Sequence, residues 1–209
     1  MLSVGDQGGR IILFERIQNA QGQTEFDYLT EFQAHIKGFD VLSSSDVPEW
    51  VTAIEWINHG KTSTPMMFAA GARSVKLFTI KDKYTKKHVT AKKSLAKGKG
   101  LVIPRSKVES QSKQCKHMAT YRSCKEDRLH SVSLAHDNEH FITADEARVD
   151  LWSVEKTADS VYSLVDYEKR GKDFTADDER ILSAKFNQNL GCSFLYTTSQ
   201  GKINICDLR

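Results

Sequence analysis

The chain has 209 residues, of which 39% are hydrophobic and 9% aromatic, a composition typical of a folded globular protein rather than a disordered one. No apolar run approaches the roughly 20 residues that a membrane-spanning helix needs, and the N-terminus lacks the basic and apolar regions of a secretory signal. The net charge of +3 is unevenly distributed, because residues 81–116 hold 12 Lys/Arg and 2 Asp/Glu, whereas the remainder holds 18 and 25.

A short pattern of turn residues followed by an alternating strand recurs along the chain. Its four copies occupy residues 4–17, 69–80, 143–154 and 197–208. The alternating strand of each copy ends on a bulky or sulfur-bearing side chain, which is Phe14, Phe78, Trp152 or Cys206. A further alternating stretch precedes three of the copies, at residues 49–57, 127–137 and 179–189. A three-stranded unit therefore occurs three times, and we expect a fourth strand in the linkers. Recurring four-stranded sheets predict an all-β fold, a partial WD-repeat β-propeller with about three complete blades, in which residues 1–209 form one domain.

The segment 26–48 follows the first copy and has an apolar pattern of nearly period two. Its apolar side chains are Phe26, Tyr28, Leu29, Phe32, Phe39, Val41 and Leu42. We predict a hairpin arm here that offers an apolar face to a partner. The alternative is that these are ordinary outer strands of a blade. His35 lies in the same segment and either helps to order the arm or is a plain surface or turn histidine.

The basic segment 81–116 is predicted to be an insertion between two blades. Twelve positive charges attract anionic partners through counterion release, so nucleic acid is one candidate ligand. However, Tyr84 is the only aromatic residue in the segment, which leaves little for base stacking. A solvated loop is the simplest interpretation, and electrostatic docking to an acidic partner protein is the alternative.

Two adjacent acids, Asp145 and Glu146, precede the strand of the third copy. An acidic side chain in such a turn commonly accepts hydrogen bonds from backbone amides, which is a structural role. One turn does not need two such caps. We therefore expect the second acid to face solvent, where a carboxylate accepts a bidentate pair of hydrogen bonds from a partner arginine.

Catalytic and metal-binding signatures are not recognisable in the sequence. It contains no GxSxG, HExxH or Walker-type GxxxxGK[ST] motif, and the spacing of Cys115, His117 and Cys124 fits no established zinc pattern. We predict no catalytic residue, no metal and no cofactor. The four cysteines form no CxxC pair, which favours a reducing compartment, either the cytoplasm or the nucleus.

Several longer stretches resemble one known family in their order along the chain. They are GDQGGRIILFER, EFQAHIKGFDVLSS, EWVTAIEWI, GARSVKLFTI, LVIP, TADEARVDLWSV and FLYTTSQGKINICDLR. This order is similar to the B-type (55-kDa) regulatory subunits of protein phosphatase 2A. The resemblance implies a seven-bladed propeller with an arm that docks onto a scaffold subunit. The chain opens within a blade and stops after the hairpin of Cys206, so we expect a fragment of such a regulator.

The same resemblance implies roles for individual residues. Scaffold contacts fall to Phe26, Tyr28, Phe32, His35 and Phe39, and substrate contacts to Asp145, Glu146, Phe174 and Asp177. Glu146 matches the substrate-facing position best. Phe174 stands in for one apolar contact of the family, whereas Asp177 occupies a place where the family has an aliphatic residue.

The function implied is that of a non-catalytic regulator that recruits phosphoproteins with basic motifs. Its partners would be the scaffold (A) and catalytic (C) subunits of the phosphatase, without membrane or nucleic acid. Two alternatives remain open: a generic WD-repeat interaction scaffold unrelated to phosphatase, and a protein that binds nucleic acid through residues 81–116.

Overall fold

The computed structural model describes residues 1–19, 21–42, 44–47, 49–57, 64–89, 105–122, 128–157, 160, 162–168, 179–189 and 191–209. These residues form sixteen strands and no α-helix, so none of them belongs to a helix able to cross a membrane. The strands are β1 Leu2–Gly5, β2 Arg10–Gln18, β3 Thr24–Gln33, β4 Gly38–Asp40, β5 Ser45–Val47, β6 Ala53–Ile57, β7 Met66–Ala70, β8 Ser74–Val89, β9 Arg105–Arg122, β10 Ser131–Leu134, β11 His140–Ala144, β12 Arg148–Ser153, β13 Tyr162–Asp166, β14 Ile181–Phe186, β15 Ser193–Thr198 and β16 Ile203–Asp207.

Consecutive strands pair antiparallel and form four successive sheets. In chain order these are β1-β2-β3, β6-β7-β8-β9, β10-β11-β12-β13 and β14-β15-β16, while β4 and β5 form a separate small hairpin. The predicted all-β class is confirmed, and β9 and β13 are the fourth strands expected in the linkers. Among the described residues, two sheets have four strands and two have three.

Each sheet packs face to face against the next, and the short strands β7, β10 and β11 are consequently buried on both faces. Three buried clusters fill the three interfaces. The middle cluster, between the second and third sheets, contains Phe68, Tyr121, Phe141 and Trp152. Trp152 is 2% exposed, and its Nε1–H donates to Thr143 Oγ1 at 2.9 Å. The bulky residue at the end of this repeat copy is therefore a core residue.

Residues 81–89 and 105–116 of the basic segment lie within a sheet, so for this described part the prediction of an inter-blade insertion is wrong. Strands β8 and β9 are neighbours in the second sheet and pair from Ser74↔Arg122 to Val89↔Arg105, with two shifts of register on the way. The described part of the segment is thus the outer half of one long hairpin. Residues 90–104 lie outside the described part of the chain.

The segment 26–48 divides into two pieces. Residues 26–33 belong to β3, which pairs along its length with β2 as the outer strand of the first sheet. Residues 38–40 and 45–47 form the small β4-β5 hairpin. The alternative of an ordinary outer blade strand therefore holds for the first piece, and only the second piece is a separate hairpin.

Candidate interaction surfaces

Asp145 lies in the turn between β11 and β12 and is 2% exposed. Its Oδ1 accepts hydrogen bonds from the backbone N–H of Ala147 at 2.9 Å and of Arg148 at 2.5 Å. Its Oδ2 lies 3.4 Å from an amino group of Arg148. The prediction that Asp145 contacts substrate is therefore wrong, because its carboxylate is enclosed by the turn that it stabilises.

Glu146 reaches the surface, and its side chain is 37% exposed. Its Oε2 lies 2.8 Å from Nη1 of Arg180, and its Oε1 lies 3.7 Å from Nε2 of His130. Its backbone carbonyl accepts a hydrogen bond from Ile181 N–H at 2.8 Å. The acid thus faces solvent as expected, but it already holds an intramolecular cation that comes from the next sheet.

Two other predicted substrate residues, Phe174 and Asp177, lie outside the described residues. The candidate substrate surface is therefore represented by Glu146 and the groups around it. Arg180 was not singled out in the sequence. The one feature of Arg180 in the sequence that points to it is its position next to the strand of the fourth repeat copy. Its pairing with an acid 34 positions away depends on the tertiary structure.

The predicted scaffold contacts separate into exposed and buried groups. Phe26, Tyr28 and Phe39 are 52%, 57% and 64% exposed, so these three remain available to a partner. Phe32 instead packs against the core, with its ring centroid 4.8 Å from that of Phe78. Phe32 is therefore partly buried and offers less of its ring to a partner than the other three do.

A β-bulge in β3 explains why Phe32 packs against the core whereas Tyr28 is exposed. Leu13 opposes Thr30 and Phe14 opposes Tyr28, so the register shifts at Leu29. Directly opposed residues of an antiparallel pair share a face, and one extra residue exchanges the two faces of the strand. Phe32 consequently shares the core face with Ile11, whereas Tyr28 lies on the other face.

His35 is buried, with 1% of its surface exposed. The predictions that it contacts a scaffold or is a surface histidine are therefore wrong. Its Nε2 lies 3.1 Å from the Ala69 carbonyl, which identifies Nε2–H as the donor. Burial, assisted by the nearby Lys76 cation, lowers the pKa of His35 to about 4. A Cβ on Gly71 would lie 2.6 Å from the ring, so only glycine fits beside it. His35 is therefore a neutral core residue.

The outer half of the β8-β9 hairpin presents a basic face, which we call the lysine face. Alternation and cross-strand pairing place five lysines on it: Lys81, Lys83, Lys87, Lys107 and Lys116. The carboxylate of Glu109, at a second bulge, lies 3.3 Å from Lys87. Asp82 and Tyr84 project from the opposite face, where Asp82 pairs with Lys113 at 2.6 Å. This lowers the pKa of the Asp82 carboxyl.

The comparison with curated proteins gives one consistent answer. The chain is 28% identical over 218 residues to the B-type regulatory subunit of protein phosphatase PP2A from Candida tropicalis, and 28% identical over 219 residues to its namesake in Schizosaccharomyces pombe. It is 26% identical over 221 residues to the gamma isoform of the 55-kDa B-type regulatory subunit of serine/threonine-protein phosphatase 2A from Mus musculus. The predicted resemblance is confirmed. Each match covers 100% of this chain but 42%, 46% and 48% of the relative, so the chain spans less than half their length.

Solved structures identify the fold. The β-propeller domain of Myceliophteria thermophila Cps50 (Swd1) has a TM-score of 0.54 at 10% identity, covering 97% of this chain and 46% of that one. A Chaetomium thermophilum Polycomb Repressive Complex 2 structure (a humanized mutant) has a TM-score of 0.51 at 12% identity, covering 83% and 31%. No protein-family model matches the chain. Together with the four stacked sheets, these similarities confirm a partial β-propeller.

Proposed function

We propose that this chain acts as a non-catalytic regulatory subunit of a serine/threonine protein phosphatase holoenzyme. The observation that supports this most is the similarity of the whole chain to B-type regulatory subunits of PP2A from several organisms. In this role the chain binds the scaffold (A) subunit, lies beside the catalytic (C) subunit and recruits phosphoprotein substrates with basic motifs.

Substrate recruitment is assigned to the surface around Glu146. The carboxylate is partly exposed in the turn before β12, and the backbone of this turn is fixed by the Asp145 cap. Carboxylates form strong, directional hydrogen-bonded pairs with guanidinium groups, which suits a substrate segment that carries arginine.

Scaffold docking is assigned to the exposed apolar side chains Phe26, Tyr28 and Phe39. Aromatic side chains are enriched at the centres of protein interfaces, since they bury a large area at low entropic cost. His35 is left out of this surface because it is buried, and Phe32 because its ring packs against Phe78.

Co-purification of the full chain with the scaffold and catalytic subunits tests the assignment. The chain should form a stable complex, and changing Phe26 and Tyr28 together to Ser should weaken it at least about tenfold if they are interface anchors. The matched control is Tyr84→Ser, an exposed tyrosine of the β8-β9 hairpin. Failure of the full chain to bind either subunit would overturn the proposed function.

The lysine face of the β8-β9 hairpin is a candidate for a second docking surface. Five lysines on a paired, two-stranded support can bind an acidic protein surface, and the exposed Tyr84 points away from them. This arrangement favours an acidic protein over single-stranded nucleic acid, which binds largely by base stacking on aromatic side chains.

Charge reversal tests this second surface. Changing Lys81, Lys83 and Lys107 to Glu should abolish capture of an acidic partner, and wild-type capture should weaken steeply with added salt. The opposite-face variant Lys113→Glu, compared with Lys83→Glu alone, controls for overall charge, because each changes the net charge by the same amount. If the triple variant loses binding to a single-stranded oligonucleotide but keeps binding to acidic proteins, the nucleic-acid alternative is correct.

A further inference from the structure

The carboxylate of Glu146 is shared between two sheets. Arg180, directly before β14, places Nη1 2.8 Å from Oε2, and His130, directly before β10, lies 3.7 Å from Oε1. Both carboxylate oxygens thus face an internal partner. A substrate arginine that binds both carboxylate oxygens therefore competes with groups that the protein itself supplies.

The backbone fixes Arg180 beside this carboxylate. Arg180 N–H donates to Ser199 Oγ at 3.0 Å, and its carbonyl accepts from Ser199 N–H at 2.8 Å. The next residue, Ile181, donates its N–H to the Glu146 carbonyl at 2.8 Å. Because these three bonds hold the main chain on both sides of the pair, the guanidinium stays within reach of Glu146 after any displacement.

The ion pair is strong enough to compete with a ligand and weak enough to be exchanged. The side chains of Arg180 and Glu146 are 36% and 37% exposed, and ion pairs of that exposure contribute little net stability because water screens them. An incoming guanidinium that forms two parallel hydrogen bonds can therefore replace the single contact made by Nη1 of Arg180.

We propose that Arg180 is a specificity-determining residue that occupies Glu146 until a ligand with an arginine displaces it. This inference rests on the proposed substrate role of Glu146. Lysine is a compact point charge without the planar fork of arginine, so it competes less well for a carboxylate that is already paired. The surface should therefore select arginine-containing basic segments over lysine-containing ones.

The test measures binding of two fluorescent peptides to the purified full chain by anisotropy. The peptides are identical basic sequences that carry either arginine or lysine. Wild type should prefer the arginine peptide. Arg180→Gln should tighten binding of both peptides by about twofold to fivefold, the range expected from releasing a surface ion pair. The gain in affinity should be larger for the lysine peptide, so the preference for the arginine peptide should become smaller.

Two controls separate the contributions. Lys156→Gln removes one exposed positive charge elsewhere and should change affinity less than Arg180→Gln does. Glu146→Gln should weaken binding, and adding Arg180→Gln to it should have no further effect, because the freed acceptor is gone. Thermal unfolding of each variant verifies that the fold is retained.

The outcomes distinguish this inference from the proposed function. If Glu146→Gln weakens binding but Arg180→Gln leaves it unchanged or weakens it, Arg180 is not a competitor, and recruitment at Glu146 stands. If Arg180→Gln tightens binding equally with and without Glu146, its effect is general charge and the inference is wrong. If Glu146→Gln has no effect on either peptide, the substrate role of Glu146 fails as well.

Discussion

The inner and outer halves of the β8-β9 hairpin are built from the same two strands but have opposite surroundings. In the inner half, Val75, Leu77 and Tyr121 are buried between the second and third sheets. In the outer half, the pairing continues past the bulge at Glu109 while both faces carry exposed, largely polar side chains. One strand pair therefore serves as core in one half and as presented surface in the other.

The difference shows that hydrogen-bonded pairing and hydrophobic burial are separate requirements. A two-stranded ribbon is marginally stable alone, so the outer half depends on the buried inner half to fix its register. Variation of side chains in the outer half is then nearly free of folding cost, which suits a surface adapted to a partner.

The largest expected effect is a difference in stability between variants at two tyrosines, one in each half of the hairpin. Tyr121→Ala should lower the free energy of unfolding by about 3–5 kcal/mol, as for other large core aromatics. Its ring lies 4.9 Å from that of Phe141 and its hydroxyl donates to the Val154 carbonyl at 2.6 Å. Tyr84→Ala, at a side chain 51% exposed, should stay within about 0.5 kcal/mol. Urea denaturation measures both, and equal losses would contradict the contrast.

The second effect is a pH dependence that originates in the core next to the inner half. The pKa of His35 falls from 6.5 to about 4 on folding, so the fold favours the neutral ring. Its contribution is fully present above about pH 6.5 and is lost as pH falls towards 4, by about 3 kcal/mol in all. His35→Gln should flatten the dependence of unfolding free energy on pH between these values. The control variant His117→Gln, at an exposed histidine, should leave this dependence on pH unchanged.

A third, smaller effect compares two adjacent acids, of which one is buried and the other is partly exposed. Asp145→Ala removes the acceptor of two backbone N–H groups from a buried turn and should cost about 1–3 kcal/mol. Glu146→Ala removes a partly exposed ion pair and should cost no more than about 1 kcal/mol. Thermal and chemical unfolding distinguish them, and Asp145→Asn, which keeps an oxygen acceptor, should fall between the two. A larger loss at Glu146 would show that it is primarily structural.

The smallest expected effect on stability belongs to the lysine face. The charge-reversed variant at Lys81, Lys83 and Lys107 should unfold within about 1 kcal/mol of wild type, since exposed charges contribute little to folding. A melting curve at low and at high salt verifies this. If the variant is strongly destabilised, its loss of partner binding would report misfolding of the hairpin and not docking.

Much of the architecture could be predicted from residue order alone. The repeated turn-and-strand pattern indicated the sheets, because strand alternation and turn chemistry are local properties. The same local chemistry indicated that one acid at 145–146 would cap a turn. The motifs that run from end to end of the chain indicated the relationship to the B-type regulatory subunits of PP2A, which the comparisons confirmed.

Tertiary structure decided which of the candidate residues are accessible and what they contact. One bulge at Leu29 turned Phe32 towards the core and left Tyr28 on the outer face, since a single extra residue exchanges the faces of a strand. Close approach of Gly71 enclosed His35, and β9 paired with β8 to place the basic segment inside a blade. The pairing of Glu146 with Arg180 joins two sheets across 34 positions of sequence. Such contacts depend on how distant segments pack, which no local pattern of residues encodes.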